Sequence, residues 1–322
     1  MATETVLVTG GTGFIGSYTA AELVEADYDV VAFDYDTDET ILEKLGVADD
    51  VEVVRGDVTD ATAIVRALRA TDAHYVVHLA ALLTTTARAD PRAAAEVNVL
   101  GTTNVFEAAR ALTDQVERVA WASSAAVYAP PRHYGDDWVD EDDLVYPDTL
   151  YGATKVYNEV QAAVYAEDHD LDLVGLRPTV AYGPYRETGG SAFLANIVEK
   201  PALGQPFSVD YGDQVIDWQY VEDIALAFRL AMETPADERR RDVYNVRGEL
   251  ATIREAVETV RSLVPDADLT VTDEGELPWT QRLDMGAARR DLGYEPAYDL
   301  ETGFREYIKV LRREAGLDPL FE

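Results

Sequence analysis

The chain has 322 residues, which is enough for one large or two modest domains with a substantial core. It carries 61 acidic and 27 basic residues, a formal net charge of −34, and this negative charge argues against nucleic acids and anionic membranes as partners. Cysteine is absent, which excludes disulfides, thiolate metal sites and a cysteine nucleophile.

The first predicted elements are a strand, a glycine-rich turn and a helix. Thr5–Thr9 is a short β-branched run typical of a buried strand, and Phe14–Ala26 has helical spacing. This order is typical of a dinucleotide-binding fingerprint, because glycines let a pyrophosphate approach the backbone and the helix N-terminus presents free N–H groups. The candidate cofactor contacts in this stretch are Gly10, Gly13, Phe14, Ile15 and Gly16.

Asp34 closes the second predicted strand, Asp29–Asp34, and comes 18 residues after Gly16. A carboxylate at that distance is placed to accept hydrogen bonds from the ribose hydroxyls of an adenosine. It also repels a 2′-phosphate, and no arginine follows at once to compensate. The sequence therefore favours NAD over NADP.

Apolar runs then alternate with helical patterns as far as about residue 180. This alternation predicts a Rossmann-type α/β fold, a doubly wound parallel sheet that binds ligands beyond the carboxyl ends of its strands. Further strands are predicted at Val51–Arg55, Tyr75–Leu79, Arg118–Ala122 and Leu171–Arg177. Further helices are predicted at Ala61–Ala70, Pro91–Ala111 and Leu150–Asp168.

After Pro178 the pattern becomes mixed and less regular, which predicts a smaller mixed α/β C-terminal lobe for the substrate. A helix is expected over Ala192–Lys200, and it should end before Pro201. The other elements expected here are the strand Asp242–Val246 and the helices Val221–Met232, Thr252–Leu263, Asp284–Leu292 and Thr302–Arg313.

The predicted domain division assigns residues 1–178 to an NAD-binding domain, with 218–247 returning to it, and residues 179–217 and 248–322 to the substrate lobe. No charged-then-apolar segment resembles a signal peptide, and no apolar run approaches 18 residues, so a cytoplasmic protein without membrane partners is expected. The acidic residues are spread evenly and only four lysines remain, which indicates adaptation to high salt, as in a halophile.

Tyr151 and Lys155 lie four residues apart on a predicted helix, so their side chains share one helical face. A free tyrosine titrates near ~10, and a nearby ammonium and a positive nicotinamide ring both favour the phenolate. Tyr151 is then suited to take a proton from a substrate hydroxyl while hydride leaves the carbon. Ser123 and Ser124 stand just past a predicted strand end, where a hydroxyl can bond the reacting oxygen.

Seven short motifs occur in a fixed order along the chain. They are Gly-Gly-Thr-Gly-Phe-Ile-Gly, Gly56-Asp57-Val58, His78-Leu79-Ala80-Ala81, Asn98-x-x-Gly101-Thr102-x-Asn104, Ser123-Ser124-Ala-Ala-Val-Tyr128, Tyr151-x-x-x-Lys155 and Leu176-Arg177-Pro178. With this set the chain resembles the extended short-chain dehydrogenase/reductase family, the NAD-dependent epimerase/dehydratase group, over nearly its whole length.

The resemblance implies roles for particular residues. Ser124, Tyr151 and Lys155 would form the catalytic triad, and Asp57 and Val58 would flank the adenine. The remaining residues expected to line or support the cofactor are Leu79, Ala80, Ala81, Asn98 and Ser123, and Tyr151 and Lys155 would also contact it. Members of the family commonly form homodimers through two long helices, which here would be Pro91–Ala111 and Leu150–Asp168.

Three positions depart from the family's patterns. Members that dehydrate sugars carry Asp-Glu after the catalytic Ser or Thr, whereas this chain has Ala125 and Ala126. Members that bind nucleotide sugars usually carry Asn where this chain has Val180, and Arg where it has Ile216. An apolar side chain cannot replace a charge-assisted bond to phosphate, so these departures argue against a nucleotide sugar.

The leading hypothesis is an NAD-dependent dehydrogenase that oxidises a hydroxyl of a small sugar or sugar-like acid. The alternatives are a nucleotide-sugar 4-epimerase of the UDP-glucose type, with Arg186 or Arg282 holding the phosphates, and a non-catalytic NAD-sensing scaffold. The candidate substrate contacts are Leu83, Ser124, Val180 and Arg186. No metal site is expected, because the four histidines are scattered without ligand spacing.

Overall fold

The structure, a computed structural model, describes residues 4–135, 137–279 and 282–321. The strands are β1 Thr5–Thr9, β2 Asp29–Asp34, β3 Val51–Arg55, β4 Tyr75–His78, β5 Arg118–Ala122, β6 Leu173–Arg177, β7 Val180–Tyr182, β8 Phe207–Val209, β9 Val215–Tyr220, β10 Val243–Asn245, β11 Glu249–Thr252 and β12 Leu269–Val271. The helices are α1 Phe14–Glu25, α2 Thr40–Leu45, α3 Ala61–Thr71, α4 Thr84–Ala89, α5 Pro91–Ala94, α6 Thr102–Ala111, α7 Leu150–His169, α8 Asn196–Ala202, α9 Val221–Glu233, α10 Ile253–Leu263, α11 Gly286–Leu292 and α12 Leu300–Glu314.

Seven strands form one parallel sheet in the order β10-β6-β5-β4-β1-β2-β3. The chain moves outward from β1 to β3 and then returns to β4 on the other side of β1, so the strand order reverses between β1 and β4. The loops after these two strands therefore meet at the topological switch point, where α/β sheets bind ligands. The predicted Rossmann-type fold is confirmed.

Helices cover both faces of this sheet. The side chains of β1 alternate, so that Val6 and Val8 join a core with Leu23 of α1 and Phe228 of α9, whereas Leu7 joins the opposite core. That second core contains side chains from α3 and α6, including Leu68 and Phe106. Both faces of the sheet are thus apolar and covered, as a parallel sheet requires.

The C-terminal lobe contains a mixed three-stranded sheet, β11-β9-β7, and a two-stranded sheet, β12-β8. Helices α8 and α10 pack on these strands, and α12 packs on α8 and α10. An aromatic cluster lies at the centre of the lobe, where the Tyr182 ring is 6.0 Å from that of Trp218 and 5.3 Å from that of Phe304. This small mixed lobe agrees with the predicted fold class.

Two predicted helices differ from those observed. The segment predicted as a continuous helix over Pro91–Ala111 contains a π-helical stretch, Ala95–Gly101, between α5 and α6. The helix predicted to end before Pro201 runs to Ala202 and contains the proline. Pro201 is the next-to-last residue of α8, so the helix ends one residue after it.

None of the described helices is both long and apolar enough to cross a membrane.

Candidate active site

The glycine-rich turn lies between β1 and α1 and is packed too closely for side chains. A Cβ added at Gly16 would overlap the carbonyl oxygen of Gly10, and one at Gly11 would lie 2.7 Å from Ala32. Gly10 itself has a φ of +72°, which favours glycine. At the start of α1 the cap residue Gly13 supplies no side-chain hydrogen bond, so free backbone N–H groups remain for a ligand. The turn therefore fits a dinucleotide pyrophosphate.

Asp34 ends β2 beside this turn. Its carboxylate lies 3.4 Å from the backbone nitrogen of Thr12 and accepts the N–H of Asp36 at 3.3 Å. Asp57 and Val58 follow the neighbouring strand β3, and the Val58 carbonyl accepts a bond from Asn104 at 2.9 Å. The structure thus brings the predicted adenosine contacts to the same edge of the sheet as the glycine turn.

The segment after β4 contains Leu79, Ala80, Ala81 and Leu83 and is held by Asn98. The Asn98 amide accepts the N–H of Leu82 at 2.7 Å and donates to the Leu82 carbonyl at 2.9 Å. It also donates to Thr154 at 3.2 Å, and the Thr154 hydroxyl donates to the Tyr151 carbonyl at 2.7 Å. Asn98 therefore ties the loop after β4 to the helix that carries Tyr151.

Asn98 lies in the π-helical stretch. Its carbonyl accepts bonds from Asn158 at 2.8 Å and from Thr102 at 2.7 Å, instead of serving a regular helix. The neighbouring His78 is buried between the hydroxyls of Thr9 and Thr102, and burial lowers its pKa to about 3. It is a neutral packing residue at the end of β4. Among the described residues, no group of three or more histidines and carboxylates is arranged to hold a metal ion.

Tyr151, Lys155 and Ser124 come together at the carboxyl ends of β5 and β6. The Lys155 ammonium lies 5.6 Å from the centre of the Tyr151 ring and donates to the Ala122 carbonyl at 2.6 Å. Burial raises the pKa of Tyr151 to about 12, although a hydrogen bond with Ser124 favours the phenolate. Burial also lowers the pKa of Lys155 to about 8. The protein alone therefore keeps Tyr151 neutral, because desolvation outweighs its polar neighbours.

Two candidate substrate residues, Leu83 and Arg186, meet beside Gly189. A Cβ at Gly189 would lie 3.1 Å from the Arg186 guanidinium and 3.3 Å from Leu83. Arg186 donates to the carbonyl of Ala181 and, at 2.7 Å, to the hydroxyl of Ser191. Burial lowers the pKa of Arg186 to about 10, and none of the described carboxylates forms an ion pair with it.

Comparison with known proteins decides the family. The sequence profile of the NAD dependent epimerase/dehydratase family matches residues 6–246. The chain belongs to this family. It is an enzyme of the NAD-dependent epimerases and dehydrogenases, and NAD is its cofactor.

The relatives of this family member include several 4-epimerases. The chain is 30% identical to the UDP-glucose 4-epimerase of Mycolicibacterium smegmatis, over 96% of this chain and 99% of the relative. It is 28% identical to UDP-glucuronate 4-epimerase 4 of Arabidopsis thaliana, over 95% of this chain and 74% of the relative.

Solved structures agree on the fold. The NAD complex of UDP-glucose 4-epimerase from Thermus thermophilus has a TM-score of 0.79 and 28% identity, covering 96% of this chain and 99% of the other. The L-threonine 3-dehydrogenase of Trypanosoma brucei has a TM-score of 0.87 at 22% identity, covering 97% and 98%, which shows a shared fold.

The structure shows where two of the residues that depart from the family's patterns, Val180 and Ile216, lie in this family member. Ile216 is 2% exposed and packs in the core of the C-terminal lobe, and Val180 on β7 is half-buried opposite Trp218. Asp217 accepts the backbone N–H groups of Arg282 at 3.0 Å and Leu283 at 3.2 Å. These contacts join β9 to the segment that precedes α11.

Sequence reasoning missed one polar residue of the site, Glu159 on α7. It contacts Ser123, which was expected to line the cofactor, and Arg177, which appeared only as part of a motif. The sequence could have indicated this residue, because Glu159 lies four positions after Lys155 and therefore shares its helical face.

Proposed function

We propose that this enzyme is a dehydrogenase that oxidises a hydroxyl of a small sugar or sugar-like acid and passes hydride to NAD. The observation that carries the proposal is Arg186, a half-buried guanidinium that meets a carbonyl and a hydroxyl but no carboxylate among the described residues. A guanidinium without a carboxylate partner favours the binding of one small anionic group, such as the carboxylate of a sugar acid.

The proposed mechanism uses the triad. Bound NAD supplies the hydride acceptor and a positive charge close to the reacting carbon. Tyr151, as the phenolate, takes the proton of the substrate hydroxyl as the C–H bond gives up hydride, so that a carbonyl forms and Tyr151 becomes the neutral phenol. Ser124 donates a hydrogen bond to the reacting oxygen of the substrate, and Lys155 provides a cation that favours the Tyr151 phenolate.

Glycine and carboxylate positions support the proposed cofactor contacts. We infer that Gly10, Gly13 and the first residues of α1, Phe14 to Gly16, hold the pyrophosphate, and that Asp34 binds the adenosine ribose. Residues of the loops after β3, β4 and β5 complete this surface, together with Asn98 of the π-helical stretch; the loop residues are Asp57, Val58, Leu79, Ala80, Ala81 and Ser123. Leu83 and Val180 would contact the substrate beside Arg186.

A UDP-sugar 4-epimerase is the second candidate, and the full-length match to 4-epimerases favours it. The apolar Val180 and Ile216 count against it, because they offer a diphosphate no donor. A third candidate, a non-catalytic NAD-sensing scaffold, has less support because it needs no assembled triad.

The deciding experiment compares D-glucuronate and neutral aldoses with UDP-glucose and UDP-glucuronate, each with NAD at about 2 M KCl. Steady formation of NADH from a sugar acid supports the dehydrogenase. Interconversion of a UDP-sugar without net NADH would establish the epimerase instead.

Arg186→Gln tests the carboxylate contact within the same assay. The substitution should raise KM for sugar acids about tenfold or more and leave KM for a neutral aldose nearly unchanged. Arg92→Gln is the control, because the Arg92 side chain is 88% exposed. An equal effect of Arg186→Gln on both substrate classes would remove the argument for an acid.

We also propose the domain division expected from the sequence, with residues 1–178 and 218–247 in one domain and 179–217 and 248–322 in the other. The return of residues 218–247 to the first domain is supported by the pairing of β10 with β6 and by the packing of α9 on α1. Strand β9 crosses the boundary between the two domains and pairs with β7 and β11. The acidic composition supports a further proposal, that the enzyme works in a cytoplasm of high salt.

We propose a homodimer built on α7 and on the neighbouring segment that includes α6. Tyr157, Val160 and Val164 form an exposed apolar stripe along α7, and Leu100 is 56% exposed beside the start of α6. Light scattering on Val160→Asp checks this, since a charge in an apolar interface should give a monomer.

A further inference from the structure

Glu159 belongs to a buried polar network that the proposed mechanism does not use. Its Oε1 accepts the Ser123 hydroxyl at 2.5 Å and the Nε of Arg177 at 2.8 Å, and its Oε2 accepts the Nη2 of Arg177 at 2.7 Å. The side chains of Glu159 and Arg177 are 11% and 6% exposed. Each charge is therefore withdrawn from water and depends on the other.

Lys155 and Glu159 hold two successive residues at the end of β5. The Lys155 ammonium donates to the Ala122 carbonyl at 2.6 Å, and Glu159 receives the hydroxyl of Ser123, which is 1% exposed. Ser124 is the next residue in the chain. Two side chains one helical turn apart thus anchor the backbone immediately before Ser124.

We propose that Glu159 is a positioning residue for the redox reaction, which fixes Ser123 and thereby Ser124, and which stabilises the ammonium of Lys155. A carboxylate that served only the ion pair with Arg177 would have no need of the Ser123 hydroxyl. The inference rests on the proposed roles of Ser124, Tyr151 and Lys155.

The titratable and polar groups around Lys155 come from four elements. Tyr151 and Glu159 lie on its own helix, His78 lies at the end of β4, the Ala122 carbonyl ends β5, and Arg177 on β6 lies behind Glu159. Burial lowers the pKa of Lys155, and the negative charge of Glu159 opposes this change. His78 is neutral in the pH range where Lys155 titrates. Removal of the Glu159 charge should therefore make Lys155 lose its proton at lower pH.

Nuclear magnetic resonance measures that change without any substrate. Protein labelled with ¹³C-lysine contains four lysines, and Lys155→Arg identifies the signal of Lys155. In Glu159→Gln the pKa of Lys155 should fall by about half a unit or more, whereas Ser123→Ala should leave it nearly unchanged. An unchanged Lys155 titration in folded Glu159→Gln overturns the electrostatic part of the proposal.

Asp172→Asn is the matched control. Asp172 pairs with Arg118 at the other end of β5, at 2.6 Å, and also with Arg239; the Asp172 side chain is 19% exposed and those of its partners are 12% and 4% exposed. The variant breaks these partly buried ion pairs next to the same strand without touching the triad. Loss of stability should therefore be similar in Asp172→Asn and Glu159→Gln, but only Glu159→Gln should move the titration of Lys155.

Turnover of D-glucuronate with NAD tests the positioning of Ser124. Ser123→Ala and Glu159→Gln should each lower kcat about tenfold or more and change KM less than about twofold, and Asp172→Asn should keep kcat. If Glu159→Gln does not fold, Ser123→Ala decides, and a kcat within about twofold of the wild type overturns the proposal. Failure of the proposed function is distinct, because the wild type would then form no NADH from any sugar acid while the lysine titration still reports on Glu159.

Discussion

At the scale of single residues, the site depends on groups whose properties are set by burial. Burial keeps Tyr151 neutral in the protein alone, and it lowers the pKa of Lys155 to about 8. The sequence predicted both residues and their common helical face, because four-residue spacing on a helix determines it. It could not predict the balance of desolvation and charge, which depends on neighbours distant in the chain.

The contacts of Glu159 illustrate the same limit. It is 36 residues from Ser123 and 18 from Arg177 in the sequence, and its position beside both depends on how α7 packs against β5 and β6. No local pattern specifies such a contact. The glycine turn was easier to predict, because Gly10, Gly16 and Asp34 act through backbone geometry and strand ends that the sequence marks directly.

Tyr151→Phe should remove turnover and leave NAD affinity and melting temperature nearly unchanged. The substitution keeps the ring and deletes only the oxygen that exchanges a proton with the substrate. Tyr146→Phe is the control, since Tyr146 is 60% exposed and lies outside α7 and the proposed interface. Activity assays and NAD titration calorimetry check this, and a Tyr151→Phe rate within a few-fold of wild type would place the base elsewhere.

At the scale of elements, the parallel sheet was predictable and the C-terminal lobe was less so. The strands β1, β2, β3 and β5 have the predicted bounds, because buried parallel strands are continuous apolar runs. Strands β7, β8 and β12 have three residues each, which is too short for a recognisable period. The π-helical stretch was also not predicted, and the contacts of Asn98 with Leu82 and Asn158 join residues 16 and 60 positions apart in the chain.

Substitutions at two glycines of the turn should show which one is needed for packing and which one for cofactor binding. Gly16→Ala should disrupt the turn and abolish NAD binding, because its Cβ would overlap the Gly10 carbonyl. Gly13→Ala should fold with a nearly normal melting temperature, because its Cβ would meet only that oxygen at 3.3 Å, yet it should bind NAD more weakly. Thermal unfolding and calorimetry distinguish the two, and equal effects of both variants would contradict the separate roles.

At the scale of the whole molecule, two buried carboxylates link stability to pH. Burial raises the pKa values of Asp217 and Asp223 to about 6, even though backbone N–H groups bond to each. Between about pH 4 and pH 6 the folded state therefore binds more protons than the unfolded state, so stability falls as pH rises through this window.

For Asp217 the expected loss is on the order of 3 kcal/mol. Asp217→Asn should reduce the slope of unfolding free energy against pH in this range, whatever its effect on absolute stability. Asp29→Asn, at the exposed start of β2, should leave the slope unchanged. Denaturant titrations at about pH 4, pH 5 and pH 6 measure this, and an identical slope in wild type and Asp217→Asn would assign the linkage to other groups.

The net charge of −34 leads to the last prediction, a requirement for salt. At ~10 mM salt the Debye length is ~30 Å, so carboxylates repel one another across a whole face of the protein, whereas at ~1 M it is ~3 Å. Surface ion pairs cannot offset this repulsion, because 61 acidic residues face 27 basic ones. Melting temperature should therefore rise steeply from about 0.1 to 2 M KCl, and activity should rise with it. Sucrose is the control, because it favours compact states by exclusion from the surface but screens no charge. A melting temperature that sucrose raises as much as KCl does, or that stays flat in KCl, would mean that repulsion between carboxylates does not limit stability.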